Sequence, residues 1–267
     1  MCRSCRRSFS SATFHPCYRQ RLRQIHPRLR ELLVSGVSQR RAARILRINP
    51  KTVVRKFVLL SEQAKLSHTE AMKERIRSGR LIPEIQFDEL ETAERTKCLP
   101  LSVPLVVDAK SRRILGFRVC SMPAKGLLAE VSRRKYGQRV DERKEGAESL
   151  LEEIRPIVEE SVRITSDEKP TYPEWIRATL PHSTHKTVKG RRGAVVGQGE
   201  LKKIGFDPLF SLNHTCAMLR ANINRLFRRT WCMTQRADRL ACHLWLYLDY
   251  HNSVLIPQLS DPLTAPN

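Results

Sequence analysis

A change of hydrophobic period near residue 80 constrains this chain more than any other feature. Before it, apolar residues recur every three or four positions, as on helices that bury one face. After it, Glu84-Ile-Gln-Phe-Asp-Glu-Leu-Glu91 alternates as a strand, with Ile85, Phe87 and Glu89 on one face and Gln86, Asp88 and Leu90 on the other. Asp88 is thus a carboxylate set among apolar neighbours, where burial is costly without a cation.

The helical half has a specific layout. Leu29, Leu32 and Leu33 predict a first helix ending at Gly36. Ser38 caps a short helix, Gln39 to Leu46, with Ala42, Ala43 and Ile45 inward. After the turn Arg47-Ile-Asn49, Pro50 takes the first position of the next helix, where its missing N–H costs nothing, and Thr52, Val53, Val54 and Phe57 carry that helix forward. Two short helices joined by a tight turn read as a helix-turn-helix. The second, with Lys51, Thr52, Arg55 and Lys56, would enter a major groove, and Arg40 and Arg44 lie on the helix before it. Residues 61–80 read as a polar helical connector.

Charge placement agrees. The net charge is +22; residues 1–80 hold 20 Lys and Arg against 4 Asp and Glu, and residues 186–229 hold 10 against 2. Two basic blocks are the electrostatic footprint of a polyanion partner. At the N-terminus Cys2-x-x-Cys5 has the spacing of a zinc-ribbon knuckle, for which His15 and Cys17 could supply the missing Zn2+ ligands; a broken or truncated ribbon is the preferred reading.

Beyond Glu91, Leu101 to Ala109 is a second strand, apolar enough to be central, and Lys110-Ser-Arg112 turns it into a third, Ile114 to Cys120. A basic connection leads to a charged helix from about Glu142 to Glu160. Val162 to Asp167 is a fourth strand ending on an acid, Pro170 to Leu180 a helix, and Thr184 to Val188 a fifth strand. The glycine-rich basic loop from Lys189 to Gly205 lacks the NTPase phosphate-loop pattern. Leu212, Cys216, Leu219, Ile223 and Leu226 then form the apolar stripe of one helix from Ser211 to Arg229, with Asn213 and Arg220 beside it, seven residues apart and pointing the same way. A last helix runs from about Arg236 to Asn252, and the proline-containing tail frays.

Three antiparallel strands, helix, strand, helix, strand, helix is the order of an RNase H-like core. The expected fold is α/β: a mixed five-stranded sheet flanked by helices, preceded by the all-α helix-turn-helix domain and the partial knuckle. The expected divisions are 1–20 knuckle, 21–64 helix-turn-helix, 65–82 linker, 83–255 catalytic domain and 256–267 tail. Asp88 and Asp167 suit a two-metal site, since hard divalent cations prefer carboxylate oxygens and a pair of them clamps the attacking and leaving oxygens of a phosphodiester displacement.

With the knuckle, the helix-turn-helix, Phe87-Asp-Glu-Leu-Glu91, Thr165-Ser-Asp-Glu168 and the stretch from Asn213 to Arg229, nearly the whole chain resembles a bacterial insertion-sequence transposase of the DDE class, close to the insertion-sequence-one kind. The resemblance implies Mg2+ or Mn2+ on Asp88 and Asp167, with Asn213 where the third acid usually sits, a departure toward the Asp-Asp-Asn arrangement of related groups. It implies that Arg220 contacts DNA phosphate, that a metal-activated water cuts the element ends, and that the freed 3'-hydroxyl attacks target DNA. The helix-turn-helix would select terminal inverted repeats. Lys189, Arg191, Arg192, Arg220, Arg225, Arg228 and Arg229 would hold backbone phosphates. Glu200, Asp207 and His214 stand nearby as substitute ligands. A homodimer on double-stranded DNA follows, because two ends must be brought together. A repurposed copy acting as a sequence-specific DNA-binding protein without chemistry is the alternative, and a stand-alone nuclease leaves the helix-turn-helix idle.

No run of 18 apolar residues is present, the N-terminus lacks the apolar core of a signal peptide, and the eight cysteines are scattered. The expected setting is the reducing cytoplasm, at the nucleoid.

Overall fold

In the computed structural model of the protein, which describes residues 1–189, 207–227 and 232–257, the alternation after residue 80 forms a long strand, β1 (Ile82–Ala93), at the middle of a mixed sheet. β2 (Pro100–Asp108) and β3 (Ile114–Phe117) follow antiparallel, and a two-residue strand, β4 (Cys120–Ser121), also pairs with β2. On the other side of β1, β5 (Val158–Asp167) runs parallel to it and β6 (Thr184–Val188) parallel to β5, giving the order β3-β2-β1-β5-β6.

The sheet has six strands rather than the expected five, because the stretch from Ile114 to Cys120 breaks opposite Pro104. Arg118 N–H donates to Pro104 O at 3.0 Å, but Pro104 has no N–H to return the bond. The exposed edge of β3 is closed by Asn252, whose side chain accepts from Ile114 N–H and donates to Ile114 O.

The N-terminal helices are α1 (His26–Val34), α2 (Gln39–Ile45) and α3 (Pro50–Ser78). Ser38 and Asn49 cap α2 and α3 through their side chains, and Gly36 and Gly79 take the left-handed conformation just past α1 and α3. The connector is not a separate element. α3 is one helix of 29 residues, since no Gly or Pro interrupts it before Gly79 and its buried stripe, Val53, Phe57, Leu60, Ala64 and His68, continues past residue 64. Ile45, expected inward, is exposed.

The basic connection after β4 holds a short helix, α4 (Leu128–Tyr136). α5 (Arg143–Ile154) stops before Pro156, so β5 starts at Val158, earlier than expected. α6 (Tyr172–Thr179) joins β5 to β6. α7 (Phe210–Asn222) does not run on to Arg229: Ile223 is extended, a 3-10 turn covers Asn224–Leu226, and the Asn222 carbonyl accepts Gly36 N–H at 2.7 Å. The stripe from Leu212 to Leu226 is buried nonetheless. α8 (Ala237–Tyr250) completes the described elements. No helix among the described residues is long and apolar enough to cross a membrane.

Alternation in β1 sends Ile85 and Phe87 to one face of the sheet, where they pack with α5 and α6. The opposite face carries a second apolar cluster, in which Leu90, Val103 and Leu105 meet α7, α8 and the buried residues of α1, α2 and α3. The N-terminal helices and the sheet therefore share one core across the expected boundary at residues 64 and 65. On the first face α5 approaches so closely that a Cβ on Gly146 would lie 2.1 Å from Cys120 Sγ. Gly146→Ala should lower stability by about 1–3 kcal/mol through overpacking, read as a shift of the urea midpoint, and Cys120→Ala in the same chain should recover part of it.

Candidate functional site

The β1–β5 pairing ends with Phe87 opposite Ser166, so Asp88 and Asp167 are the next residues on two adjacent parallel strands. Neighbouring strands lie about 4.8 Å apart, which brings the two carboxylates onto one small patch. Both are half-buried. Burial, then the charge of Asp167, pushes the Asp88 carboxyl from an ordinary 3.8 up to about 6.

Past the end of the pairing, Glu89 N–H has lost a strand partner and is taken up by Asp88 Oδ1 at 2.6 Å and by the Tyr172 hydroxyl at 3.1 Å. The same hydroxyl donates to Asp88 Oδ1 at 2.9 Å, and burial followed by the Asp88 charge pushes the phenol pKa up. The Glu89 carboxylate is fully enclosed. It pairs with Lys169 and accepts from Ser102 Oγ at 2.5 Å, while Lys169 sits 5.2 Å from the Tyr172 ring centre. Asp167 Oδ1 accepts from Lys169 N–H at 3.2 Å. Tyr172, Glu89, Lys169 and Ser102 were not singled out in the sequence. The one signal was the placement of Lys169 two residues after a strand-terminal acid, and that spacing is commonplace.

α7 is registered on β1 by Gln86, also missed. Its amide nitrogen donates to Pro208 O at 2.9 Å and its oxygen accepts from Leu212 N–H at 2.8 Å, supplying the acceptor that α7 lacks at its own N-terminus. The α7 side chain whose titration feels Asp88 is Cys216, one turn on from Leu212; burial first, and then the Asp88 charge, pushes its thiol up to about 12. Asn213 is exposed, and its amide nitrogen donates to Asp207 Oδ2 at 2.9 Å. The structure thus brings Asp88 and Asp167 together and commits Asn213 elsewhere. Among the described residues no three His, Cys, Asp or Glu side chains gather into a metal-sized cluster. That includes the knuckle: Cys2 and Cys5 share a tight turn in which Arg6 N–H donates to Cys2 O, while Cys17 Sγ lies 3.5 Å from His26 Nδ1 and His15 Nδ1 accepts Cys17 N–H.

Of the basic residues singled out, Arg40, Arg44, Lys51 and Arg55 are exposed, Thr52 is half-buried, and Lys189 is exposed just after β6. Lys56 is a correction: it is buried, with Nζ donating to Gln20 Oε1 at 3.1 Å and to Arg21 O at 2.5 Å, so it ties the N-terminal segment to α3 instead of facing a groove. Arg225 is another, half-buried with its guanidinium 5.7 Å from the Phe57 ring centre. Arg220 is half-buried beside Leu90 and Glu91 along a groove that Leu226 and Phe227 also line. Arg191, Arg192, Glu200, Arg228 and Arg229 lie outside the described residues.

A scan against protein-family models and a search of curated proteins find no match to the chain.

The raised Asp88 carboxyl fixes a pH dependence. A carboxyl whose folded pKa exceeds its unfolded value contributes stability below the unfolded pKa and loses it as pH rises through the folded one. Metal-free protein should therefore lose stability between the ordinary 3.8 and about 6, by at most about 3 kcal/mol from this group. Asp88→Asn should flatten that window, measured as urea midpoints at about pH 5 and about pH 7.5 in chelator.

Proposed function

We propose that the protein is a DNA transposase of the DDE class, of the insertion-sequence-one kind with an Asp-Asp-Asn triad, which cuts DNA at terminal inverted repeats and joins the freed ends to target DNA. The observation that carries this reading is the pair Asp88 and Asp167: two acids from distant segments, side by side on adjacent parallel strands where their pairing ends, one of them raised by burial and by the other's charge. The sheet supports an RNase H-like core, since three antiparallel strands are followed by two parallel ones in the order β3-β2-β1-β5-β6. Two capped helices joined by the turn from Leu46 to Asn49, with exposed Arg40, Arg44, Lys51 and Arg55, support a helix-turn-helix on double-stranded DNA.

The donor set fits a hard divalent cation, because two crowded carboxylates are relieved by a positive charge and offer the oxygen ligands that Mg2+ or Mn2+ prefers. Asp88 and Asp167 would hold it, and when bound it would supply charge stabilisation for the phosphoryl oxygens and a more acidic water. The chain's own groups prepare that patch. Tyr172 fixes one Asp88 oxygen, and the Glu89–Lys169–Ser102 network braces the strand end behind it. Asn213 would join as a third, neutral ligand by exchanging its bond to Asp207. The expected partners are inverted-repeat and target DNA and a second copy of the chain, at a cytoplasmic nucleoid.

The commitment of Asn213 to Asp207 favours a second reading, a sequence-specific DNA-binding protein without chemistry. Strand cleavage and transfer with labelled ends and Mg2+ separate the two. Wild-type protein should cut, and Asp88→Asn or Asp167→Asn should reduce the rate at least about 100-fold, in line with losing a group that stabilises transition-state charge. Tight binding with no metal-dependent nicking would decide for the second reading. In a binding titration, Arg55→Ala should weaken DNA affinity, whereas Lys56→Ala should chiefly lower the melting temperature.

A further inference from the structure

The connection between β4 and α5 carries a charge arrangement that neither basic block of the sequence includes. α4 is pinned to the outer end of β1 and the turn after it: Lys125 pairs with Glu91 at 2.7 Å, Ser132 Oγ donates to Cys98 O at 2.6 Å, and Arg139 reaches Glu94 at 3.9 Å. Glu91 is three residues beyond Asp88, about 10 Å along the strand, so these contacts anchor α4 to the outer part of the strand that carries Asp88.

Its other side is cationic. Arg133, Arg134 and Lys135 are consecutive and exposed, and none is paired with an acid among the described residues. Some exposed cations on α3 and α5 do find acids, as in Lys73–Glu70, Arg77–Glu74 and Lys144–Glu174. Glu130 is the lone acid on α4, against three cations in its last turn. Tyr136, 52% exposed, follows them directly, a side chain that can lie against sugars and bases where phosphates meet the cations. A cationic helix anchored to the strand that carries Asp88 is complementary to a nucleic acid backbone reaching along that strand.

We infer that α4 is a second phosphate-binding element, separate from the helix-turn-helix, which holds the DNA strand lying across Asp88 and Asp167. The inference rests on the DNA-processing reading above. It assigns sequence-blind grip near the acids to Arg133, Arg134 and Lys135, and base reading to the helix-turn-helix.

The test uses the full chain and a fluorescent duplex, with affinity followed across a range of salt. The triple variant R133A/R134A/K135A should reduce the slope of log affinity against log salt by about 2–3, the loss of about three phosphate contacts. R133K/R134K, which keeps the charges, should leave the slope unchanged. Since all three side chains are exposed, the triple variant should melt as wild type does. A parallel variant, R40A/R44A/R55A, should lose preference among sequences while keeping the α4 part of the slope. An unchanged slope in the triple variant, with the helix-turn-helix variant weakened, overturns the inference and leaves the DNA reading standing; an α4 that meets an acidic protein surface gives this same result. A wild-type chain that binds no DNA sinks both. A reduced slope in a chain that never cuts supports the inference while removing the catalytic reading.

Discussion

The parallel pairing of β1 with β5 is the constraint on which the rest of the structure depends. Parallel strands need a crossover between them, and here the connection carries α5 over one face of the sheet. Because both strands run the same way, the last residue of β5 stops abreast of Asp88 within β1, and an acid at each of these positions is enough to build a doubly charged patch. β1 then runs on past the end of β5, leaving a backbone N–H at Glu89 without a strand partner. Tyr172 fills that gap, and in doing so it holds the Asp88 carboxylate.

The same strand organises the opposite face through its alternating side chains. Gln86 receives the N-terminus of α7, the Asp88 charge is felt at the Cys216 thiol, and Leu90 enters the apolar cluster shared with α1, α2, α3 and α8. Gly36 N–H closes the last turn of α7. The link between α1 and α2 is therefore bonded directly to α7. A shift of α3 would be felt at α7, because the two are buried in one cluster.

Electrostatics divides the chain's many cations into those that build the fold and those left facing solvent. Lys56 and Arg225 are spent internally, one on a backbone carbonyl and a glutamine, the other over a phenyl ring. Lys169 is spent on Glu89. Arg40, Arg44, Lys51 and Arg55 remain outside, as do Arg133, Arg134 and Lys135 on α4. Charge counting along the sequence cannot separate these groups, because burial of a lysine is decided by what packs over it.

What the sequence determined by itself were the local signals: Ser38, Asn49, Pro50 and Gly36 marking the ends of α1, α2 and α3, the alternation that made β1, and the two acids at strand positions. These follow from short-range chemistry, capping and side-chain period, which act within one turn or one strand. Only the tertiary structure decided that α3 runs unbroken to Ser78 along α8, that Pro104 splits the third strand, that α7 stops at Asn222, and that Asn213 turns to Asp207. Each of those outcomes depends on a partner far away in the chain, Trp245 against His68 or Gly36 against Asn222, and residue spacing carries no information about such partners.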